Sequence, residues 1–146
     1  GARMWRGLKI ANEEEIQNVA FIRTRINLIE HFFDTNEVSE IWISFPDPHP
    51  RDTKARKRLT SPQFLRLYRK FLKEGGFIHL KTDNIVFFEY TLDVIKDESL
   101  ELGFSSYNIY DGSINNELTQ IQTFYEKKWL EHGTKIKYLK FKLDHE

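Results

Sequence analysis

One carboxylate in this chain stands beside a dense run of positive side chains. Asp47 lies in the segment SFPDPHP, residues 44–50, which directly follows the apolar run at residues 41–43. The cations that come next are Arg51, Lys54, Arg56, Lys57 and Arg58. Cations in such a loop hold phosphates, while a single carboxylate can orient one polar group of the ligand. This arrangement predicts a nucleic acid as the partner.

Each of these features also has a purely structural interpretation. Prolines on both sides of an aspartate often mark only the turn that ends a strand, and a Lys/Arg run is often a solvated helix start. Their combination at the carboxyl end of a strand favours function, because ligands of open α/β sheets bind outside those strand ends. Asp47 and the loop after it therefore form the first candidate site.

The composition is that of an ordinary globular domain. Of the 146 residues, 40% are hydrophobic and 30% are charged, which predicts a single domain over residues 1–146. Lys plus Arg and Asp plus Glu both number 22, so the nucleic-acid signal is local to residues 51–58. The absence of cysteine excludes disulfides, thiolate catalysis and thiolate metal sites. No run approaches the roughly 20 apolar residues of a membrane span and no signal-peptide pattern opens the chain, so we expect a cytoplasmic protein.

Helical and strand patterns alternate along the chain. Apolar spacing predicts helices over residues 5–16, 25–33, 85–96 and 119–132, and a further helix that begins at Ser61-Pro62 and ends at Gly75-Gly76. Short apolar or alternating runs predict strands over residues 19–23, 40–45, 77–81, 104–110 and 136–143. This order predicts an α/β layered sheet.

The strand after the Asp47 loop also ends in polar residues, in the segment KTDN at residues 81–84. Asp83 and Asn84 either cap the helix that follows or belong to the site, and both interpretations stay open. Because neighbouring strands lie roughly 5 Å apart, Asp47 and Asp83 can share one pocket.

A third candidate is the segment TFYE at residues 123–126. Phe124 and Tyr125 can stack on a base while Thr123 or Glu126 hydrogen-bonds to its edge. The structural alternative is a capping box with core aromatic residues at a helix start.

These three segments, in this order, resemble the bacterial tRNA (guanine-N(7)-)-methyltransferase family. The resemblance rests on FPDP at residues 45–48 followed by the basic run, on KTDN at residues 81–84 and on TFYE at residues 123–126. The segment GARMWRG at residues 1–7 is also similar to the stretch after that family's second strand, so the resemblance covers the whole chain. Two positions depart from it, since the family usually has Trp where His49 stands and often Lys where Arg51 stands.

The resemblance implies a Rossmann-like class I methyltransferase fold, with helices on both faces of a sheet ordered 3-2-1-4-5-7-6. It also implies methyl transfer from S-adenosylmethionine to ring nitrogen 7 of a guanine in the variable loop of tRNA. By position, Asp47 matches the catalytic acid at the cofactor and Arg25 matches a second cofactor-binding residue. The positions that match substrate or RNA contacts are Arg51, Thr53, Lys54, Ala55, Arg56, Lys57, Arg58, Asp83, Thr123, Phe124, Tyr125 and Glu126.

The cofactor side of such a fold is incomplete in this sequence. Class I methyltransferases hold the cofactor with a Gly-rich loop after the first strand and an acid at the end of the second. No such loop occurs here, because Gly75-Gly76 follows a predicted helix. We therefore expect a partial domain that lacks the first two strands and, alone, binds S-adenosylmethionine weakly and is inactive. The predicted strand at residues 19–23 would then be an unpaired edge.

The implied chemistry requires few catalytic groups. Ring nitrogen 7 of guanine has a free lone pair and no proton to remove, so positioning supplies most of the rate. Asp47 either accepts hydrogen bonds from the guanine edge or stabilises positive charge on the base, and both roles stay open. No metal is required, and the histidines lack i, i+4 ligand spacing.

Three other functions compete with this one. Methylation of an amino group would use Asp/Asn-Pro-Pro-aromatic, and DPHP at residues 47–50 lacks both the second proline and the aromatic residue. A metal-dependent nuclease would need a carboxylate where His79 stands. A non-catalytic RNA-binding module, which keeps the basic loop without cofactor chemistry, is the strongest alternative.

Overall fold

Helices and strands alternate through the computed structural model, which describes residues 2–144. Gly1, part of the N-terminal segment that carries the resemblance, lies outside the described residues. The helices are α1 (Ala2–Glu13), α2 (Pro62–Tyr68), α3 (Ile85–Asp97), α4 (Glu117–Gln120) and α5 (Phe124–Glu131), and the 3-10 helices are Ile26–Phe32 and Asp52–Lys57. The strands are β1 (Val38–Ser44), β2 (Leu72–Thr82), β3 (Leu102–Ser106) and β4 (Lys137–Leu143). Across residues 2–144, no helix has the length and apolar character needed to cross a membrane.

The four strands form one mixed sheet in the order β1-β2-β4-β3. β1 and β2 are parallel, whereas β4 runs antiparallel to both of its neighbours. This strand order corresponds to the 4-5-7-6 part of the strand order 3-2-1-4-5-7-6 that the resemblance implies. The predicted α/β class is therefore confirmed, and β1 is an edge strand because residues 2–37 supply no strand beside it.

The predicted strand at residues 19–23 is wrong. The backbone there is irregular, and the side chains of Val19, Phe21 and Ile22 are exposed. A strand requires a neighbour for its backbone hydrogen bonds, and among residues 2–144 none pairs with this segment. A short apolar run predicts burial but cannot by itself supply that neighbour.

Two predicted helices also differ from the observed ones. The helix that begins after Ser61 ends at Tyr68, and Gly75-Gly76 lies inside β2. Gly75 has φ of +67°, a conformation that glycine adopts easily. The register between β1 and β2 shifts near this glycine, so Gly75 belongs to an irregularity of the strand. The helix predicted over residues 119–132 is divided into α4 and α5, because Asn116 and Thr123 each cap a separate helix start.

The main core lies between one face of the sheet and helices α2 and α3. The buried residues of this core include Ile43, Leu65, Tyr68, Ile78, Leu80, Phe87, Phe88, Leu139 and Phe141. A smaller cluster of Ile109, Ile136 and Tyr138 packs with residues of α4 and α5. Since Tyr138 and Leu139 are consecutive in β4, they point to opposite faces, and helices therefore cover parts of both faces.

The second face of the sheet carries a ladder of aromatic rings. Trp42 and His79 are paired across β1 and β2, and their rings stack with centroids 4.0 Å apart. His79 Nδ1 is 2.8 Å from Tyr138 Oη, and His79 Nε2 is 3.5 Å from Glu40 Oε2. Together with Phe104 these residues line an open groove of about 770 Å³. Burial lowers the pKa of His79, and the Glu40 carboxylate opposes that effect.

We expect His79 to make the stability of the chain depend on pH. The folded side chain resists protonation because it is buried, with Lys140 lowering its pKa further, whereas the unfolded side chain takes up a proton near pH 6.5. The contribution of His79 to the free energy of unfolding is therefore complete above about pH 6.5. It is lost as the pH falls toward the lower pKa of the folded side chain, by at most about 1.4 kcal/mol per pH unit.

Urea unfolding at several pH values between about 5.5 and 7.5 measures this effect in the parent and in His79→Gln. The His79 variant should show a flatter dependence, and exposed His31→Gln, the matched control, should keep the parental one. An unchanged dependence in His79→Gln would show that this histidine does not cause it.

Candidate functional site

Asp47 lies in a sharp turn directly after the carboxyl end of β1. Phe45 N donates to Lys81 O at 2.8 Å, so the pairing with β2 continues one residue past Ser44. Phe45 and His49 have φ of +49° and +42°, a region that residues other than glycine seldom occupy. Asp47 Oδ1 accepts a hydrogen bond from His49 N at 3.0 Å, which fixes the turn. The Asp47 carboxylate, with 71% of its side chain exposed, is therefore presented to solvent at the edge of the sheet.

The basic loop places most of its predicted RNA contacts on the surface. Residues 52–57 form a 3-10 helix. Ser61 Oγ stabilises this helix by donating a hydrogen bond to Arg56 O at 2.9 Å. The exposed side chains are those of Arg51, Thr53, Lys54, Arg56 and Lys57, and Ala55 is half-buried. The structure therefore gathers four cations on the surface just after Asp47.

Arg58 differs from the other cations of this loop. Only 2% of it is exposed, and its guanidinium donates to the backbone carbonyls of Pro48 and His49. Its side chain also lies over the ring of Tyr90, with the guanidinium carbon 4.4 Å from the ring centroid. Arg58 thus turns inward, and its side chain is not presented as a phosphate contact in this geometry.

Asp83 lies at the end of β2, beside the strand end that carries Asp47. The helix cap predicted as an alternative role belongs to Asn84, whose side chain accepts from Phe87 N at 2.9 Å. Lys137 Nζ donates to Asp83 O at 2.9 Å and so holds the backbone of this turn. The carboxylate of Asp83 is not used by the cap.

The segment TFYE begins helix α5 as a capping box. Thr123 Oγ1 accepts from Glu126 N at 3.2 Å, and Glu126 Oε2 accepts from Thr123 N at 3.3 Å. Thr123 and Glu126 therefore have the structural role that was weighed for them. Phe124 is 76% exposed, and Tyr125 is half-buried beside it, with ring centroids 5.6 Å apart. Phe124 is the member of the segment that presents a ring to solvent.

A buried network that the sequence interpretation missed joins β2 to the start of α5. Lys81 Nζ lies 2.6 Å from Glu126 Oε1, and Tyr110 Oη donates to the same oxygen at 2.6 Å. Lys81 Nζ also donates to Leu118 O at 2.6 Å. Burial, together with the hydrogen bond to Glu126, raises the pKa of Tyr110. These contacts fix α4 and α5 against the edge of the sheet where Asp47 and Asp83 lie.

The position of Lys81 in the sequence indicated that it has a buried partner. Lys81 ends the predicted strand at residues 77–81, where alternation places it on the same face as His79. A lysine buried on a strand face requires a carboxylate partner, which indicates that one of the acidic residues must reach it. The sequence pattern does not show which one, because Glu126 is distant in sequence.

Comparison with known proteins identifies the family. A protein-family model described as "Putative methyltransferase" matches residues 4–139. The chain belongs to this methyltransferase family. The resemblance predicted from the three motifs is therefore confirmed.

Curated relatives of this methyltransferase family are identical to this chain at close to half of the aligned positions. The tRNA (guanine-N(7)-)-methyltransferase of Christiangramia forsetii is 49% identical over 144 residues, which are 98% of this chain and 64% of that protein. The protein of the same name from Bacteroides thetaiotaomicron is 46% identical over 146 residues, covering 100% of this chain and 57% of that protein. The chain thus spans about three-fifths of the length of the curated relatives it matches.

Among solved structures, a geranyl diphosphate C-methyltransferase from Streptomyces coelicolor A3(2) is similar to the chain. The match has 18% identity and a TM-score of 0.47, and it covers 92% of this chain and 57% of that one. The assignment of the fold class is based on the strand order and on the family match, and not on this structural similarity.

Two further features bear on the predicted ligands. Arg25 is exposed and immediately precedes the 3-10 helix Ile26–Phe32, whose first turn closes with a bond from Leu28 N to Arg25 O at 2.9 Å. Its predicted contact with a cofactor stays a prediction. Within residues 2–144, no three His, Asp or Glu side chains come together as a metal ion would require.

We expect the Lys81–Glu126 pair to be far more important for stability than an exposed pair of the same residues. Glu126→Gln leaves the Lys81 ammonium buried without a carboxylate, and breaking a buried pair in this way costs about 3 to 5 kcal/mol. The combined variant Lys81→Met/Glu126→Leu should lose less than the sum of its two single variants, because no charge is left unpaired.

The matched control is the exposed pair of Lys142 and Glu101, whose atoms are 2.8 Å apart. Glu101→Gln should cost no more than about 1 kcal/mol. Chemical denaturation of all variants gives the comparison, and equal losses from the two glutamine substitutions would contradict the structural role of Glu126.

Proposed function

We propose that this chain supplies the catalytic acid and the RNA-binding surface of an enzyme that methylates guanine at ring nitrogen 7 in tRNA. The observation that carries the proposal is the exposed Asp47 carboxylate in its fixed turn, next to four exposed cations at the carboxyl edge of a parallel strand pair. The names of the relatives from Christiangramia forsetii and Bacteroides thetaiotaomicron support it. As the reacting base we propose a guanine of the variable loop, and the tRNA substrate supports the cytoplasmic location expected from the sequence.

S-adenosylmethionine is the proposed methyl donor, and it carries the reactive methyl group on a positively charged sulfur. The exposed carboxylate of Asp47 fits the charge of that sulfonium. Arg25 is proposed as a further contact, to the negatively charged carboxylate of the amino-acid part. The Gly-rich loop expected for the rest of the cofactor is not among residues 2–144.

The residues of the chain act by holding a base rather than by moving protons. Ring nitrogen 7 already has its lone pair free, so alignment of this atom with the methyl group provides most of the rate. Asp47 is held in its turn by the hydrogen bond from His49 N, and a carboxylate oriented in advance can stabilise charge that develops on the base. It acts either by accepting hydrogen bonds from the guanine edge or by stabilising that charge.

The proposed RNA surface divides between backbone and base contacts. Phosphate contacts are assigned to the exposed cations Arg51, Lys54, Arg56 and Lys57, with Thr53 and Ala55 forming the turn between them. Base contacts are assigned to Asp83, whose carboxylate the helix cap does not use, and to the exposed ring of Phe124. Tyr125 packs beside Phe124, whereas Thr123 and Glu126 hold the helix start and act indirectly.

Removal of the Asp47 carboxylate tests the catalytic assignment. In the native protein that carries this chain, Asp47→Ala should lower the single-turnover rate of tRNA methylation by about 100-fold to 1,000-fold, the usual effect of losing one preorganised electrostatic group. The affinity for tRNA should be unchanged or slightly higher, because a negative charge beside phosphates is removed.

Asp97→Ala is the matched control, since Asp97 is an exposed carboxylate at the last residue of α3, outside this loop. It should methylate at the parental rate. If Asp47→Ala also keeps the parental rate, the aspartate only ends the strand and the surface is that of an RNA-binding module.

Salt dependence tests the phosphate contacts. Each contact contributes roughly 0.7 to 0.9 to the slope of log affinity against log salt, so replacing Lys54, Arg56 and Lys57 by Gln should flatten the slope by about two units. Asp83→Ala should leave the slope unchanged while lowering methylation of the target guanine, because it acts on the base.

The control triple replaces Arg66, Lys73 and Lys96 by Gln. These are exposed cations outside the basic loop, and Lys73 lies near the amino end of β2. The two triples change the net charge equally, so an equal loss of slope would show general electrostatic attraction rather than contact through the loop.

A further inference from the structure

We propose that Arg58 is a positioning residue that locks the Asp47 turn, and that this role requires the guanidinium and not merely a positive charge. Only the effect of Arg58 on methylation rests on the proposed function. The evidence for the positioning role comes from the contacts of Arg58 inside the loop.

The guanidinium of Arg58 closes the loop that begins after β1. Its Nε lies 3.2 Å from Pro48 O and 3.3 Å from His49 O, and its Nη2 donates to His49 O at 3.1 Å. Pro48 and His49 directly follow Asp47. The far end of the loop is thereby tied to the two residues that follow the proposed catalytic acid.

His49 is a residue of this turn whose backbone conformation needs support. Its φ of +42° lies in the left-handed region, which is unfavourable for a side chain with a Cβ. Its amide donates to Asp47 Oδ1 while its carbonyl accepts from Arg58, so both backbone groups of His49 are held. Without Arg58, the left-handed conformation and the Asp47 bond would each lose a restraint.

Tyr90 holds the guanidinium from the other side. Its ring lies 4.4 Å from the guanidinium carbon, and Tyr90 belongs to α3, which packs on the sheet. Arg58 therefore connects the Asp47 turn to a helix anchored in the main core. A planar fork that donates two directed bonds and stacks on a ring is specific to arginine, because a lysine ammonium has neither property.

Arg56 provides the contrast within the same loop. Arg56 is exposed, its backbone carbonyl accepts from Ser61 Oγ, and its side chain is free to meet a phosphate. The two arginines are separated by one residue and have the same charge. They differ in burial and partners, so they are expected to differ in which substitutions they tolerate.

The test compares Lys and Gln substitutions at both positions. Arg58→Lys should speed amide hydrogen exchange of Phe45, Asp47 and His49, the residues of this turn that carry an N–H, by at least about tenfold in the absence of RNA, since the exchange rate follows the local opening equilibrium. Arg56→Lys should leave exchange at the parental rate. Arg56→Gln should lower the salt slope of tRNA binding by roughly 0.7 to 0.9, and Arg58→Gln should leave that slope unchanged.

Methylation gives the second readout. Arg58→Lys should lower kcat with little change in KM for tRNA, because the acid is misplaced while the surface cations remain. Arg56→Gln should raise KM with little change in kcat. Parental exchange and parental kcat in Arg58→Lys, together with a reduced salt slope in Arg58→Gln, would overturn the proposal and make Arg58 an ordinary phosphate contact.

Tyr90 keeps the proposal testable if the Arg58 variants fail to fold. Tyr90→Leu removes the stacking ring and should also speed amide exchange of Phe45, Asp47 and His49, whereas Tyr90→Phe keeps the ring and should behave as the parent. Parental exchange in Tyr90→Leu would count against the lock. The exchange measurements need no tRNA, so a failure of the parent protein to bind or methylate tRNA would overturn the proposed function and leave this inference to be decided separately.

Discussion

The parallel pairing of β1 with β2 is the constraint on which the candidate site depends. It sets Ser44 opposite Lys81, and the bond from Phe45 N to Lys81 O extends it into the first residue of the loop. Because both strands run in the same direction, the segments that follow them leave from the same edge of the sheet. Asp47 and Asp83 therefore follow strand ends at the same edge, although they are 36 positions apart in sequence.

Buried cations then fix the loops at this edge. Lys81, next to the last residue of β2, is paired with Glu126 at the start of α5. Arg58 is buried beside the Asp47 turn, where backbone carbonyls and an aromatic ring contact it. A buried charge without partners is costly, so each of these contacts restricts where its loop can lie. In this chain, residue types that often bind nucleic acid thus also organise the surface on which other cations are exposed.

The sequence was informative where a residue's role follows from its place along the chain. The end of β1 follows from an apolar run that stops at a Pro-Asp-Pro turn, and the capping box at Thr123 follows from its spacing to Glu126. The family resemblance also supplied the strand order that the sheet shows. Each of these features is encoded by neighbouring residues or by motifs in a fixed order. The exposure of Asp47 did not follow from the sequence, which predicted a buried carboxylate.

The sequence was uninformative where the role depends on a distant partner. Nothing in residues 51–58 distinguishes buried Arg58 from exposed Arg56, because the partners of Arg58 lie outside that run, in the Asp47 turn and at Tyr90 on α3. The same reason explains why the role of Tyr110 was missed and why the strand at residues 19–23 was wrong, since no described strand lies beside that segment. Local pattern predicts what a residue favours, and packing decides whether a partner is present.

Chemical-shift mapping of the chain with tRNA shows whether one edge of the sheet forms the RNA surface. Titration of isotope-labelled protein should shift amide signals of Asp47, His49 and residues 51–57, 83–84 and 121–125, while the signals of the groove at Trp42 and Phe104 and of the amino end of β2 near Lys73 stay in place. Shifts concentrated in that groove or at the amino end of the sheet, with residues 47–57 unaffected, would contradict this account.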